Sequence, residues 1–149
     1  MSRAIGLYNA GTVALMEGSL TSAIDLLEQA ATAATATPLR GSIWRNLGLA
    51  LRKSGDNDGA IRAFREAIDL DHSDSDAWYS LGNTHMAMSS HTEAIRAFQR
   101  VRELKPEWSN AANNEGAAWM AIGRASEAEV CFSTAVRLDP EASQAWGNL

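Results

Sequence analysis

A five-residue segment recurs at a fixed distance, and this repetition constrains the fold more than any other feature of the sequence. Residues 60–64 read AIRAF, and the same letters return at residues 94–98, which is 34 residues later. A period of this length is typical of solenoids, in which each short unit packs only on its neighbours. We therefore expect a stack of similar units rather than one core built from distant parts of the chain.

The same step relates many other positions. They are Trp44, Trp78 and Trp146; Gly48, Gly82 and Gly116; Ala60, Ala94 and Ala128; and Phe64, Phe98 and Phe132. We expect one domain over residues 1–149. Its repeats are predicted at residues 4–37, 41–74, 75–108 and 109–142, followed by a partial repeat at 143–149. The first copy is the most divergent, and residues 38–40 form an insertion before the second.

Within a repeat the apolar positions are three and four residues apart, which is one face of a helix. Two such stretches are separated by a short polar segment that contains Gly55 in one copy and Gly123 in another. Glycine favours the left-handed backbone that ends a helix. Each repeat is therefore predicted to be two helices joined by a turn. The three helical glycines are expected to allow close approach of the paired helix at Ala60, Ala94 and Ala128.

The pattern Trp-x-x-Leu-Gly, then Gly, then Ala-x-x-x-Phe-x-x-Ala, then Pro resembles the tetratricopeptide repeat (TPR) family, most closely over residues 41–108. The resemblance implies an all-α, right-handed α-solenoid of antiparallel helix pairs, with about four repeats plus the start of a fifth. The first helices would line a concave groove, and the second helices would form the outer wall. The fourth repeat departs from the pattern at Ala112, Glu115 and Trp119, so we expect it to pack differently.

The resemblance also implies a protein–protein interaction scaffold that binds an extended peptide segment of a partner in the groove. On the first helices, several mostly polar positions lie off the packed stripe and are candidate groove residues. These are Asn9, Thr12, Arg45, Asn46, Leu49, Arg52, Lys53, Tyr79, Ser80, Asn83, Asn110, Asn113 and Asn114.

Asparagine recurs at the sixth position of the repeat, as Asn9, Asn46, Asn114 and Asn148, with Ser80 in the third copy. An amide both donates and accepts, so such a row can pair with the backbone of an extended peptide. It resembles the asparagine ladder in the repeat domain of O-linked N-acetylglucosamine transferase. The alternative is structural, because asparagine at this position can also bond to the adjacent repeat.

The basic residues Arg45, Arg52 and Lys53 cluster on one helix, where they are either an attraction for acidic groups of a partner or a solvated face. The spacing of cations does not match the carboxylate clamp of chaperone-binding members of the family, so we expect no such clamp.

The sequence does not favour catalysis, a metal site or a cofactor. The acidic run at residues 69–76 lacks the glycine and glutamate of a calcium loop, and the histidines have no second ligand one helical turn away. A net charge of −5 argues against nucleic acid and anionic membranes. The single cysteine, Cys131, cannot form an internal disulfide and is expected to be a buried filler. A cytoplasmic location is the simplest interpretation.

The partial repeat restarts the pattern with Trp146 and Leu149 but contains no second helix. An open solenoid end invites association. We therefore expect either a longer natural protein or self-association through this C-terminal end. The alternatives to a free-standing scaffold are a substrate-recognition TPR domain of a larger enzyme, such as a glycosyltransferase, and a self-assembly module.

Overall fold

The computed structural model of the chain describes residues 2–141 and 147–148, and over these residues the fold is all-α, as predicted. No strand occurs in this part of the chain. The helices are α1 (Arg3–Met16), α2 (Leu20–Ala33), α3 (Thr37–Lys53), α4 (Asn57–Leu70), α5 (Ser75–Ala87), α6 (His91–Leu104), α7 (Ser109–Ala121) and α8 (Ala125–Leu138). Trp146 and Leu149, on which the predicted partial repeat depends, lie outside the described residues.

The chain divides into two compact units, Met1–Ala77 and Trp78–Leu149. In the first unit α1 packs on α2, α3 packs on α4, and α3 also contacts α1 and α2. In the second unit α7 packs on both α6 and α8. Each helix pair thus stacks on the next within a unit, which is the arrangement of an α-solenoid. The prediction of a single domain over residues 1–149 stays a prediction.

The turns inside the helix pairs share one backbone conformation. Each turn has three residues, and its central part includes a residue with positive φ: Gly18 at 80°, Gly55 at 94° and Gly123 at 79°. In the third pair Ser89 adopts the same left-handed conformation, with φ of 58°. This conformation costs little for glycine and more for a residue with a Cβ atom. The turn therefore has the same backbone conformation in the third pair, where serine stands at the position of the glycine.

The helical glycines allow the close approach that the sequence predicts, and the atoms nearest to each of them belong to a phenylalanine ring. A Cβ atom added to Gly48 would lie 2.6 Å from the ring of Phe64, and one added to Gly82 would lie 2.6 Å from the ring of Phe98. Each of these rings belongs to the phenylalanine four residues after the alanine at which close approach was expected, Ala60 or Ala94. The phenyl ring is longer than the alanine methyl group, so it reaches across to the first helix and covers the glycine.

The insertion at residues 38–40 extends a helix instead of forming a loop. Helix α3 has 17 residues, whereas α5 and α7 have 13 each. Pro38 lies in the first turn of α3, where the missing N–H has no helical partner in any case. The additional residues therefore add about one turn at the start of α3.

None of the helices in the described part of the chain has the length and apolar character needed to cross a membrane.

The glycine–phenylalanine contact predicts opposite effects for two alanine substitutions. Gly82→Ala should lower the free energy of unfolding by about 1–3 kcal/mol, because the added methyl group overlaps the ring of a fully buried Phe98. Gly41→Ala, in α3, meets no atom within 4 Å and should raise it by up to about 1 kcal/mol through helix propensity. Urea denaturation followed by circular dichroism measures both. Equal effects of the two substitutions would contradict this account.

Candidate functional site

In the first unit, Asn46 on α3 donates both of its amide N–H groups to side chains of α1. Its Nδ2 atom lies 3.3 Å from Tyr8 Oη and 3.2 Å from Thr12 Oγ1. Tyr8 and Thr12 are one helical turn apart, so a single amide reaches both. All three side chains are half-buried. The amide therefore joins the two first helices of this unit.

The second unit repeats this arrangement. Asn114 Nδ2 on α7 lies 3.0 Å from Tyr79 Oη and 2.9 Å from Asn83 Oδ1, both on α5. Farther along, Asn148 Nδ2 lies 3.0 Å from Asn113 Oδ1. Asparagine at the sixth position of a repeat thus donates to the fifth position of the preceding repeat, and in two cases also to the ninth.

These bonds determine which part of the amide is free. An asparagine side chain has two N–H donors and one oxygen that accepts. In Asn46 and Asn114 both donors are used between helices, while no other described residue bonds to either Oδ1 atom. The structural role that the sequence left open is therefore present in the structure. The same side chains retain an acceptor, fixed in orientation, for a further partner.

An ion pair sets Arg45 apart from the other two basic residues of the α3 cluster, Arg52 and Lys53. Arg45 Nη1 lies 2.8 Å from Asp74 Oδ2, and the Asp74 side chain is only 9% exposed. Asp74 also accepts from the backbone N–H of Ala77, so it caps the following helix. Arg52 is half-buried and Lys53 is exposed, in the last turn of α3. The ion pair with Asp74 thus holds the Arg45 side chain in place within the first unit.

The remaining candidate residues differ in accessibility. Leu49 is half-buried and packs against the core of the first unit, and Ser80 and Asn113 are each 9% exposed. Asn9 and Asn110 are exposed. The structure therefore brings the amides and their hydroxyl partners together on the first helices, and it places Leu49, Ser80 and Asn113 largely in packed positions.

An aromatic pair borders the amide row of the second unit. Tyr79 stacks on Trp108, with ring centroids 4.5 Å apart and an angle of 29° between the rings. Trp108 is half-buried in this contact. The stack fixes the ring whose hydroxyl group accepts from Asn114.

The departures of the fourth repeat form a buried polar network that sequence reasoning did not identify. Glu115 is 3% exposed, and its carboxylate accepts from Arg102 Nη1 at 2.6 Å, Gln99 Nε2 at 3.3 Å and Trp119 Nε1 at 3.1 Å. Arg102 Nη1 also lies 3.7 Å from Cys131 Sγ. The only signal in the sequence was the unusual charge at a position that is normally leucine. The network explains how repeat four packs differently.

The network shifts two pKa values. Burial alone would lower the pKa of Arg102, but the hydrogen bond and the charge of Glu115 outweigh it and raise this pKa above its ordinary value. Burial, together with the charge of Glu115, raises the pKa of the Cys131 thiol to about 11, against the opposing effect of Arg102. Cys131 is 4% exposed. It is therefore a protonated core residue at neutral pH, despite its basic neighbour.

A separate pocket of about 600 Å³ lies between α2, α3 and α4 in the first unit. Trp44, Leu47 and Leu51 form its apolar part, and Glu28 and Glu66 are among the charged residues that line it. The pocket can hold an apolar side chain, and its three carboxylates, of Glu28, Asp56 and Glu66, outnumber the single cation of Arg62.

No group of three or more metal-ligating side chains is found among the described residues. In the acidic connector, Asp71 Oδ1 accepts from the backbone N–H of Ser73, and Asp74 caps α5. These carboxylates therefore have local roles in the backbone turn.

Two family models, both described as tetratricopeptide repeat, match residues 2–72 and 45–111 of the chain. Among solved structures, MamA is 26% identical, with a TM-score of 0.88, over 95% of this chain and 81% of its own. YrrB, described as a TPR protein with an unusual peptide-binding site, is 24% identical, with a TM-score of 0.86, over 97% and 73%. A tetratricopeptide repeat protein from Parabacteroides merdae ATCC 43184 is 18% identical, with a TM-score of 0.90, over 98% and 57%. No curated protein matches significantly.

The Arg102–Glu115 ion pair predicts that the folding free energies lost in two single substitutions do not add in the double variant. Arg102→Ala should cost about 3 kcal/mol of folding free energy, because it leaves a carboxylate with 4% exposure without its cation. Glu115→Leu should cost about 1 kcal/mol, since Arg102 is 30% exposed and can reach water. The double variant should return to within about 1 kcal/mol of the wild type.

The first unit provides the model for that double variant, because Ala31 and Leu47 occupy the corresponding positions there. Urea denaturation of the four proteins gives the coupling energy directly. Losses that simply add would show that the pair does not interact.

The pKa of Cys131 predicts slow alkylation. A thiol with a pKa near 11 has a thiolate fraction at pH 8 about a hundredfold below that of an ordinary cysteine. The rate of reaction with iodoacetamide in the folded chain should therefore rise with a midpoint near pH 11. The urea-unfolded chain is the control and should titrate near the ordinary value. A folded chain that reacts with the same midpoint as the unfolded one would disprove the shift.

Proposed function

We propose that this chain, which belongs to the tetratricopeptide repeat family, is a protein-interaction scaffold that binds an extended peptide segment of a partner along its first helices. The observation that carries this proposal is the pair of oriented amide oxygens, Asn46 Oδ1 in the first unit and Asn114 Oδ1 in the second. The proposed role is binding, without catalytic activity of the chain itself.

The fixed amides specify the part of a peptide that is recognised. Because both N–H groups of Asn46 are donated to α1, its free oxygen accepts from a ligand and cannot reciprocate as a donor without losing a bond. The matching groups on an extended peptide are backbone N–H groups, which every residue except proline carries. The proposed ligand of each unit is therefore an extended segment with a free N–H group at the amide contact, and recognition depends little on its side chains.

The hydrogen bonds from α1 and α5 also favour binding energetically. Side-chain ordering on association costs about 0.5–1.5 kcal/mol for each flexible side chain that is immobilised. Asn46 and Asn114 are already held by two bonds each, so little of this cost remains. The second unit adds rigidity, because Tyr79 is itself stacked on Trp108.

The surroundings of the amides support a protein partner rather than nucleic acid. The net charge of −5 opposes binding to a phosphate backbone, and of the α3 cations Arg45 is neutralised by Asp74. Lys53 is exposed, and we assign it to contact with an acidic residue of the partner. YrrB shows that this fold accommodates a site described as peptide-binding. A reducing, cytoplasmic location agrees with the buried thiol of Cys131.

The proposed role of the amides predicts that two double variants weaken peptide binding to different degrees. The double variant Asn46→Ala with Asn114→Ala removes both acceptors and should raise the Kd of retained peptides about tenfold or more. Asn46→Asp with Asn114→Asp keeps an acceptor oxygen at each site, so it should retain more binding than the alanine variant. Selection from an unstructured peptide library identifies the peptides, and fluorescence anisotropy measures each Kd.

Gln29→Ala provides the matched control, since Gln29 is a half-buried amide on α2 whose solvent-exposed hydrogen bond is to Asp25. All proteins are first compared by circular dichroism to establish equal helix content. N-methylation of the peptide at the contact positions should mimic the alanine variant. If the alanine variant binds as tightly as the wild type, the asparagines act only between helices and the proposal is wrong.

A further inference from the structure

Helix α1 has an uncharged outer face. Residues 4–16 include no charged side chain. Ile5, Val13 and Met16 are 38%, 52% and 83% exposed, and Asn9 is exposed between them. At about 100° per residue these four side chains fall within about 80° of each other. They are referred to below as the α1 outer face.

The opposite side of α1 is apolar as well, because Leu15 is buried against the second helix and α3. A helix with apolar residues on both sides is typically packed against other elements on both sides. The corresponding face of later first helices is covered: Ala50 in α3 and Ala118 in α7 occupy the position of Val13, and both are 0% exposed. In α1 the residue at that position is larger, more apolar and open.

From these observations we infer that the α1 outer face pairs with the α1 outer face of a second copy of the chain, antiparallel, about a two-fold axis beside Asn9. A two-fold interface requires a surface that complements itself. Asn9 meets this requirement, because an amide on the axis donates to its copy and accepts from it. Ile5 and Val13 are equally spaced before and after Asn9, so Ile5 of each copy lies opposite Val13 of the other.

The charges at the ends of α1 select the antiparallel orientation. Arg3 begins the helix and Glu17 follows its last residue, and both are exposed without an ion pair among the described residues. With Asn9 on the axis, Arg3 of one copy and Glu17 of the other differ in height by about 3 Å, at about 1.5 Å per residue. They also lie within about 40° of each other around the helix, so they fall on the same flank of the pair. A parallel pair would bring like charges together.

Small residues allow the two helices to approach. Gly6 and Ala10 flank Asn9 and are exposed, and a Cβ atom at Gly6 would meet no atom within 4 Å in one copy. Antiparallel helices also align their dipoles favourably. The dimer does not depend on peptide binding. It would present the peptide-binding faces in duplicate, which raises avidity for a partner with repeated segments.

Cysteine cross-linking tests the two-fold axis directly. Asn9→Cys places a thiol on the axis, so mild oxidation should convert most of the chain into a disulfide-linked dimer. Val130→Cys on α8, at a position with 65% exposure, is the control and should remain monomeric under the same conditions. The natural Cys131 is 4% exposed and should not react. No cross-link at Asn9, or equal cross-linking of both variants, would overturn the proposal.

Solution mass tests the interface without a covalent bond. Light scattering and sedimentation equilibrium should show the mass rising with concentration toward twice the 16.0 kDa of the chain. Val13→Asp should raise the dimer Kd at least about tenfold, whereas Val130→Asp should leave it unchanged. Arg3→Glu should weaken the dimer, and adding Glu17→Arg should restore it.

Three outcomes of this second test would overturn the proposal. The first is a mass of 16.0 kDa at every concentration, and the second is a dimer indifferent to Val13→Asp. The third is a mass that continues to grow beyond the dimer, because growth of that kind indicates end-to-end stacking of copies rather than a closed two-fold pair.

Discussion

In three of the helix pairs, the fold depends on a contact between a glycine of the first helix and a phenylalanine ring of the second. At Gly48, Gly82 and Gly116 the ring of the paired phenylalanine occupies the space that a side chain would need. Since the rings are nearly or fully buried, this contact fixes both the separation and the rotation of the two helices. The rotation determines which side of the first helix faces its neighbours. The amide at the sixth position can reach the preceding repeat only because that rotation is set.

The structural role of the amides is observed, and the proposed binding role uses a different part of the same side chains. The donors of Asn46 and Asn114 stabilise the stacking of first helices, and the oxygens remain available on the same side chains. One consequence of the proposed function is that a ligand would meet a polar group that needs little reorganisation. Another is that the site and the stability of the stack are coupled, so a substitution at Asn46 affects both.

The helix pairs, their turns and the close approach at glycine could all be predicted from the sequence, because each follows from spacing within one repeat. The features that could not be predicted involve contacts between residues far apart in the chain. The direction of the Asn46 hydrogen bonds depends on Tyr8, which is 38 residues away. Cys131 has no basic neighbour in sequence, yet Arg102 lies beside it, 29 residues away. The contact of Phe64 with Gly48 was not predicted, because residue spacing alone does not convey how far a side chain reaches.

The buried Arg102–Glu115 pair also bears on how a chain of near-identical repeats avoids assembling in the wrong order. Helices α4 and α6 share the AIRAF segment, so during folding α7 encounters two similar surfaces. Only α6 carries an arginine opposite Glu115, while α4 has Ile68 at the corresponding position. Misdocking on α4 would bury a carboxylate against an isoleucine, at a cost of several kcal/mol. The ion pair thus favours docking of the fourth repeat on the third and disfavours domain swapping.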